Sequence, residues 1–387
     1  MDILIFAIED GRFGPARLPK MFDEAGLKVA ALCPADNLLA QSAFLSTLHR
    51  LPASRNIRAI AQALAGAIQQ SPVKLIIPGD EQAVILLQAF AEGHCRTVIG
   101  PKVRAIIAAS LGNPAKFAAS LLKSDTMNLA RGLGIAVPPG RTVRSAEDAV
   151  RAGESLGFPV YLKQSFSWAG EGVAQCDDAA ALRAAFTAAR PRRSPVRALV
   201  RKALGRDWFP TDTQIDVQSG IEGQCAMYCA LAWRGRLVGG FTGVKLEPLC
   251  SNGPSKVVKL QHDAYLEGVA AKMVKAMESN GFLSFDFMIP ADGRDPLLIE
   301  CNPRPVPVHH LGRHIGVDLA GALALLLNGE EPDEQVLAAS TVLDVVLFPH
   351  ALDPVHSRQN CLADVPAGEP GLIRYVADRM EAKPLAA

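Results

Sequence analysis

Two apolar stretches carry the residues best placed for chemistry. Leu283-Ser284-Phe285-Asp286-Phe287-Met288-Ile289 and Leu297-Leu298-Ile299-Glu300-Cys301-Asn302 flank Ala291-Asp292-Gly293-Arg294-Asp295-Pro296, a segment rich in turn formers. A hairpin centred on Gly293 sets Asp286 opposite Glu300 and Met288 opposite Leu298, with Asn302 two residues on, on the face of Glu300. Opposed side chains have Cβ atoms about 4.5–5.5 Å apart, where two like charges destabilise the pair. A divalent cation removes that repulsion, and Mg²⁺ takes carboxylate and amide oxygens at about 2.0–2.1 Å, with Mn²⁺ as the alternative ion. The two carboxylates could instead face solvent at a sheet edge. Their neighbours Phe285, Phe287 and Ile299 argue for a packed sheet, with Cys301 facing away from the ion.

Lysines come next. Lys163 closes the strand-like Pro159-Val160-Tyr161-Leu162 and opens a loop running through Gly170-Glu171-Gly172-Val173. An ammonium at a strand end beside a glycine-containing loop suits a phosphate, because the charge neutralises while loop N–H groups donate. A plain strand cap is the competing reading, and the loop lacks the glycine and lysine spacing of a Walker A motif. Lys123, on a helical stretch from Ala115 to Leu133, says nothing by itself. His309 and His310 are adjacent and diverge on any regular element, which makes a metal pair of them improbable and local hydrogen bonding or packing the better reading.

The elements that must position these groups follow from periodicity. Ile3–Ile8, Val29–Cys33, Val73–Ile77 and Val98–Ile99 read as buried strands, alternating with helices up to about Gly26, over Ile57–Ile68 and over Gln82–Ala91. Repeated strand–helix units predict an open parallel sheet, whose ligands sit beyond the C-terminal strand ends, where Asp80 and Glu81 fall. The first turn, Glu9-Asp10-Gly11-Arg12-Phe13-Gly14, lacks G-x-G-x-x-G and sets carboxylates where a pyrophosphate needs bare N–H groups, which argues against a dinucleotide-dependent oxidoreductase. Beyond the Gly134–Pro139 linker the pattern turns antiparallel. Strands are predicted at Pro159–Lys163, Gly172–Cys176, Ile215–Gln218, Ala226–Trp233, Leu237–Leu246 and Val257–Gln261, with a helix at Ala179–Ala189. A basic stretch from Arg190 to Arg206 reads as a solvated helical insertion or as a contact for an anionic ligand.

The 387 residues hold 40 Lys plus Arg against 39 Asp plus Glu, a net charge of +1, so wholesale electrostatic binding of nucleic acid or of an anionic membrane is not expected. Apolar residues at 49% exclude disorder by composition. No apolar run reaches the ~18 residues of a spanning helix. The eight cysteines are scattered without a C-x-x-C pair, as in a reduced, cytoplasmic protein.

Taken together, the residues resemble the ATP-grasp superfamily, in the branch of carbamoyl-phosphate synthetase and amino-acid ligases, over about residues 1–330. The strongest likeness is Asp286 followed by Leu298-Ile299-Glu300-Cys301-Asn302-Pro303-Arg304, close to the family's D…(F/L)-I-E-(I/V)-N-P-R. Phe158–Lys163 resembles the strand bearing its second nucleotide lysine, Gly170–Val173 its mobile glycine-rich loop, and Lys123 falls where its first nucleotide lysine is expected. Gly253-Pro254-Ser255 also fits.

The resemblance implies a mixed α/β and α+β molecule in three parts. These are a Rossmann-like parallel-sheet domain at 1–112, an ATP-grasp domain at 113–330 whose small lid covers about 135–220, and a small C-terminal subdomain at 331–387. It implies ATP between two α+β halves. Lys123, Lys163, Gly170, Gly172 and a hinge at Val217–Ile221 (Gln218, Ser219, Ile221) would hold the nucleotide, and Asp286, Glu300 and Asn302 would hold Mg²⁺. The implied activity joins a small-molecule carboxylate, activated as an acyl phosphate, to an amine or similar nucleophile; loss of turnover is the alternative, and a homo-oligomer stays open. Departures are Leu122 where Asp is commoner, bulky Phe166 and Trp168 in the loop, and Ser219 where an acid is frequent. Arg304, bracketed by Pro303 and Pro305, ends the strand just after Asn302, and its planar fork suits a carboxylate or the acyl phosphate made from it. A structural salt bridge is the competing role.

Overall fold

A computed structural model describes residues 1–54, 56–165, 172–190, 195–205, 208, 214–248, 255–353 and 360–382. Gly170, Phe166, Trp168, Gly253, Pro254, Arg192, Arg193 and Arg206 lie outside the described residues. The N-terminal strands β1 (Ile3–Phe6), β2 (Val29–Cys33), β3 (Thr47–Arg50) and β4 (Leu75–Pro78) form a parallel sheet in the order β3-β2-β1-β4. Alternate residues pack on its two faces: Ile3 and Ile5 on one side, Leu4 and Phe6 on the other. Helices α1 (Phe13–Glu24) and α2 (Ile57–Gln70) connect β1 to β2 and β3 to β4, as the parallel reading requires, and α3 (Glu81–Ala91) follows β4. The expected strand at Val98–Ile99 is a turn instead. Both N–H groups donate to the Cys95 carbonyl, so the pair is apolar because Ile99 is buried, not because it is extended. Strand β3 escaped notice because its sequence, Thr-Leu-His-Arg, is polar and lies on a sheet edge.

After α4 (Pro101–Leu111) the expected helix Ala115–Leu133 is broken. Leu122 adopts extended backbone between α5 (Phe117–Leu121) and α6 (Lys123–Gly132). The Lys123 N–H, at the first position of α6, is spent on the Ser165 carbonyl at 2.9 Å.

The antiparallel region splits into two sheets. The smaller, ordered β5-β8-β6-β7, contains β5 (Gly140–Val143), β6 (Val160–Gln164), β7 (Val173–Cys176) and β8 (Ile215–Ser219) and is backed by α7 (Ala146–Leu156) and α8 (Ala179–Ala189). The basic stretch holds α9 (Pro195–Ala203), whose end joins the N-terminal unit: Asn56 Nδ2 donates to the Leu204 carbonyl and the Ile57 N–H to that of Gly205.

The larger sheet starts with the long strands β9 (Gly223–Trp233) and β10 (Arg236–Pro248), then β11 (Ser255–Gln261). Helix α10 (Ala264–Met277) follows and leads to β12 (Gly281–Pro290) and β13 (Leu297–Asn302). One face packs on α10, through Tyr228, Phe285 and Phe287 against Met273 and Val274. Part of the other packs on α11 (Leu319–Leu327), through Cys229, Leu231 and Phe282. Residues after 331 are woven in: β14 (Leu343–Val346) and β15 (Cys361–Ala363) complete the order β13-β12-β9-β10-β11-β14-β15. Helix α12 (Pro370–Ala382) then returns to α1, with Leu372 and Val376 against Ala16 and Leu38.

Candidate functional site

Asp286 and Glu300 are paired across the β12–β13 hairpin, and Ser284 faces Asn302. Beyond that the register slips, because Ile299 forms a bulge. Phe287 opposes Leu298 and Met288 opposes Leu297, so the expected Met288–Leu298 pair is not formed. The bulge lies one residue before Glu300 and leaves the acidic pair in place. Ser284, Asp286 and Asn302 lie within 3.4–3.5 Å of one another through the Ser284 hydroxyl. Cys301 points the other way, into the core beneath α10.

Burial pushes the Asp286 carboxyl above the ordinary carboxylate range; Lys245 opposes the rise and Glu300 adds to it. Lys245 was not foreseen. It lies on β10 two residues past Gly243, which pairs with Met227, itself the partner of Asp286, so a period of two sets it on the same face. Finding it from sequence needs the β9–β10 register, which no local signal supplies.

The two lysines converge on this face from different elements. Lys123 Nζ lies 3.5 Å from Glu300 Oε1. The α5–α6 break explains its position, since the Lys123 N–H, the Ser124 N–H and the Ser124 hydroxyl all contact Ser165 at the end of β6. Lys163, on β6, donates to Gln218 Oε1. Burial, with Lys123 alongside, pushes its ammonium down to about 8. A cleft between the small sheet and α6 is lined by both lysines, Met127, Asp216, Gln218 and Ile299.

The hinge expectation needs correction. Strand β8 is flanked by β5 and β6, so Gln218 pairs with both Gly140 and Tyr161 and the backbone from Val217 to Ser219 is spent within the sheet. Ser219 donates to the Pro139 carbonyl. Gln218 reaches the cleft through its side chain, while Ser219 and Ile221 do not line it. Gly172 has φ +73°, and its carbonyl accepts from the Gln164 N–H at the mouth of the loop whose Gly170 lies outside the described residues.

Arg304 leaves β13 as expected and turns toward the N-terminal sheet. It donates to Glu81 Oε1 and to the Pro305 carbonyl (3.1 Å), and its Nη2 lies 3.5 Å from Asn302 Oδ1. Glu81 opens α3 directly after Asp80, which caps that helix through the Ala83 N–H and also accepts from Ile8 and Glu9 N–H at 2.6 and 2.9 Å. Asp80 is therefore buried and spent on backbone N–H groups, while Glu81 turns to Arg304. His309 is buried and bonded to backbone groups of Val306 and Leu283, so it packs locally.

Asp286, Glu300 and Asn302 offer hard oxygen donors on one face, which suits Mg²⁺. Among the described residues no group of three or more His, Cys, Asp or Glu side chains is arranged to hold a metal ion, so this face offers two carboxylates and the Asn302 amide.

The family model for the carbamoyl-phosphate synthase L chain, ATP binding domain, matches residues 123–334. The chain belongs to this family. Its match begins at Lys123 and takes in Lys163, Asp286, Glu300, Asn302 and Arg304. The carbamoyl phosphate synthase large chain of Rubrobacter xylanophilus is 26% identical over 173 residues, 44% of this chain and 16% of that protein. The chain spans less than a third of the length of the curated relatives it matches. The ATP-grasp fold extends beyond the matched segment. The biotin carboxylase of Campylobacter jejuni superposes with a TM-score of 0.65 at 17% identity, covering 88% of this chain and 74% of that one. The L-amino acid ligase of Bacillus licheniformis gives 0.57 at 16%, covering 89% and 79%. Among the described residues, no helix is long and apolar enough to cross a membrane.

Proposed function

We propose that this chain is an ATP-dependent ligase that activates a small-molecule carboxylate as an acyl phosphate and passes the acyl group to an amine or similar nucleophile. The observation that carries this reading is the convergence of Lys123 and Lys163 on the Asp286/Glu300/Asn302 face, drawn from four separate elements. Lys123 and Lys163 neutralise the ATP phosphates, assisted by the loop containing Gly170 and Gly172, and Gln218 lies on the nucleotide side. Residues 135–220 serve as the lid of the 113–330 domain, beside the 1–112 unit in sequence, while 331–387 extend the large sheet and return to α1. Asp286, Glu300 and Asn302 hold Mg²⁺, which supplies charge stabilisation for phosphoryl transfer.

Arg304 orients the acid beside the γ-phosphate, so a carboxylate oxygen attacks phosphorus in line. The bond to the β–γ bridging oxygen breaks and ADP leaves. The amine then adds to the acyl carbon and loses its proton, and inorganic phosphate departs carrying that carboxylate oxygen. A reduced cytoplasmic setting suits cysteines that form no disulfide among the described residues. A screen of carboxylic, amino and inorganic acids for stimulated ADP release, with mass spectrometry of products, tests the reading. Acid-dependent ADP supports it, and AMP with pyrophosphate overturns it.

A further inference from the structure

Arg304 also reaches into the N-terminal sheet unit, through its ion pair with Glu81. The loop after β1 brings Glu9 and Arg12 against the exit loop of β13, so closely that a Cβ on Gly14 would lie 3.3 Å from backbone atoms of Val306 and Pro307. Arg12 Nε donates to Glu9 Oε2 at 2.8 Å, and Arg12 Nη2 also lies 3.8 Å from Glu81 Oε2. Both carboxylates thus gather around one guanidinium, and Arg304 grips Glu81 from the other side. Arg304 and Arg12 outweigh the effect of burial and hold the Glu81 carboxyl below its ordinary value.

This group is incomplete. Glu9 Oε1, Glu81 Oε2 and Arg304 Nε are shielded from solvent and have no hydrogen-bond partner, although the Glu9 side chain is only 10% exposed. Buried polar atoms without partners are costly and rare, and three in one cluster mark a place where another molecule completes the bonding. Two of the three are acceptors and one is a donor.

We propose that the acid activated here is an amino carboxylate, whose ammonium is read by Glu9 and Glu81 and whose carboxylate lies on Arg304. The inference rests on the ligase reading for the position of the reacting carboxylate. Charge balance selects the class: two carboxylates and two guanidiniums are neutral, and a zwitterion keeps them so. Its three N–H donors meet the two idle oxygens, and its carboxylate accepts from Arg304 Nε. A plain carboxylate would add an uncompensated charge beside Glu9 and Glu81 and supply no donor. Bicarbonate supplies one hydroxyl and no cation.

The test titrates the full chain, with MgATP, against the common L-amino acids, β-alanine and γ-aminobutyrate, and against propionate, glutarate, 4-methylpentanoate and bicarbonate. Binding is followed by calorimetry and ADP release in parallel. The expected result is an amino acid that binds at least about tenfold more tightly than its deaminated counterpart, with Glu81→Gln and Glu9→Gln abolishing the difference. The wild-type comparison decides even if a variant folds poorly. Deaminated acids or bicarbonate that bind and stimulate ADP release as well as any amino acid would overturn the inference while leaving the ligase reading intact. An amino acid that binds selectively without stimulating ADP release supports the site and sinks the ligase reading. Absence of binding across the panel overturns the inference.

Discussion

Two buried ion clusters tie the N-terminal sheet unit to the rest of the chain, and they differ in how completely their atoms are used. At the outer cluster, Asp364 Oδ1 accepts from Arg17 at 2.6 Å and lies 2.9 Å from His310 Nε2, while Oδ2 accepts the Phe348 N–H at 3.3 Å. Glu369 takes Arg17 on one oxygen (3.4 Å) and the Ser42 hydroxyl on the other (2.5 Å). All four carboxylate oxygens are filled, and a single donor, Arg17 Nε, is idle. In the inner cluster of Glu9, Arg12, Glu81 and Arg304, two of four carboxylate oxygens and one guanidinium nitrogen have no hydrogen-bond partner, Glu81 Oε2 keeping only its 3.8 Å ion pair with Arg12. Closed bonding marks a joint, whereas the open bonding of the inner cluster is what the proposed amino carboxylate would complete. The same residue types thus serve opposite ends.

That contrast can be broken by mutation, and the largest effect belongs to the metal-type pair at the end of the inner cluster. Asp286→Asn or Glu300→Gln should cut ADP release at saturating Mg²⁺ by at least about 10³-fold. The melting temperature should change little, because relief of the repulsion between opposed carboxylates offsets the attraction lost to Lys245 or Lys123. Near-normal turnover in both variants contradicts the assignment.

The closed cluster should respond in the opposite sense. Asp364→Asn leaves Arg17 and His310 facing a neutral amide and should cost about 3 kcal/mol of stability by denaturant titration, with normal kinetics well below the melting point. Burial alone would raise the Asp364 carboxyl, but His310 and Arg17 outweigh it and hold it well below its ordinary value of 3.8. A depressed carboxylate supplies stability that is full above its unfolded value and is lost as pH falls through the folded one. The wild-type advantage over the Asn variant should therefore persist at pH 7 and shrink only in strong acid.

Smaller still is Arg304→Lys, which keeps the charge and loses the planar fork. KM for the acid should rise about 10–100-fold while ATP affinity and melting temperature barely change. A lower melting temperature with normal kinetics would make Arg304 a joint like Arg17. The smallest effect is one of pH. Lys163 titrates near 8 in the free protein, and bound phosphates raise that value, so ATP binding takes up a proton above pH 8. ATP affinity should weaken a few-fold from pH 8 to about pH 9, and Lys163→Met should flatten the slope. An unchanged slope would leave Lys163 a strand cap.

How much of this was legible in the sequence follows from range. The Asp286–Glu300 pair is local, set by a period of two and one turn, and it could be read directly. The Ile299 bulge could not, because no residue type there demands it. The break before Lys123 depends on Ser165, over forty residues away, and the occupancy of β8 depends on strands on either side. Glu81 was legible as a strand-end residue from strand order, and the exit of Arg304 from β13 from its two prolines. Their contact spans 223 residues and appears only once the sheets are assembled.

The central claim is attack by a carboxylate oxygen on the γ-phosphate of ATP, and the isotope label of that oxygen tests it most directly. With an acid substrate carrying ¹⁸O in its carboxylate, ATP and an acceptor amine, mass spectrometry of the released phosphate should find one ¹⁸O per turnover, alongside ADP. Unlabelled phosphate, or label recovered in AMP, would contradict an acyl phosphate formed at this site.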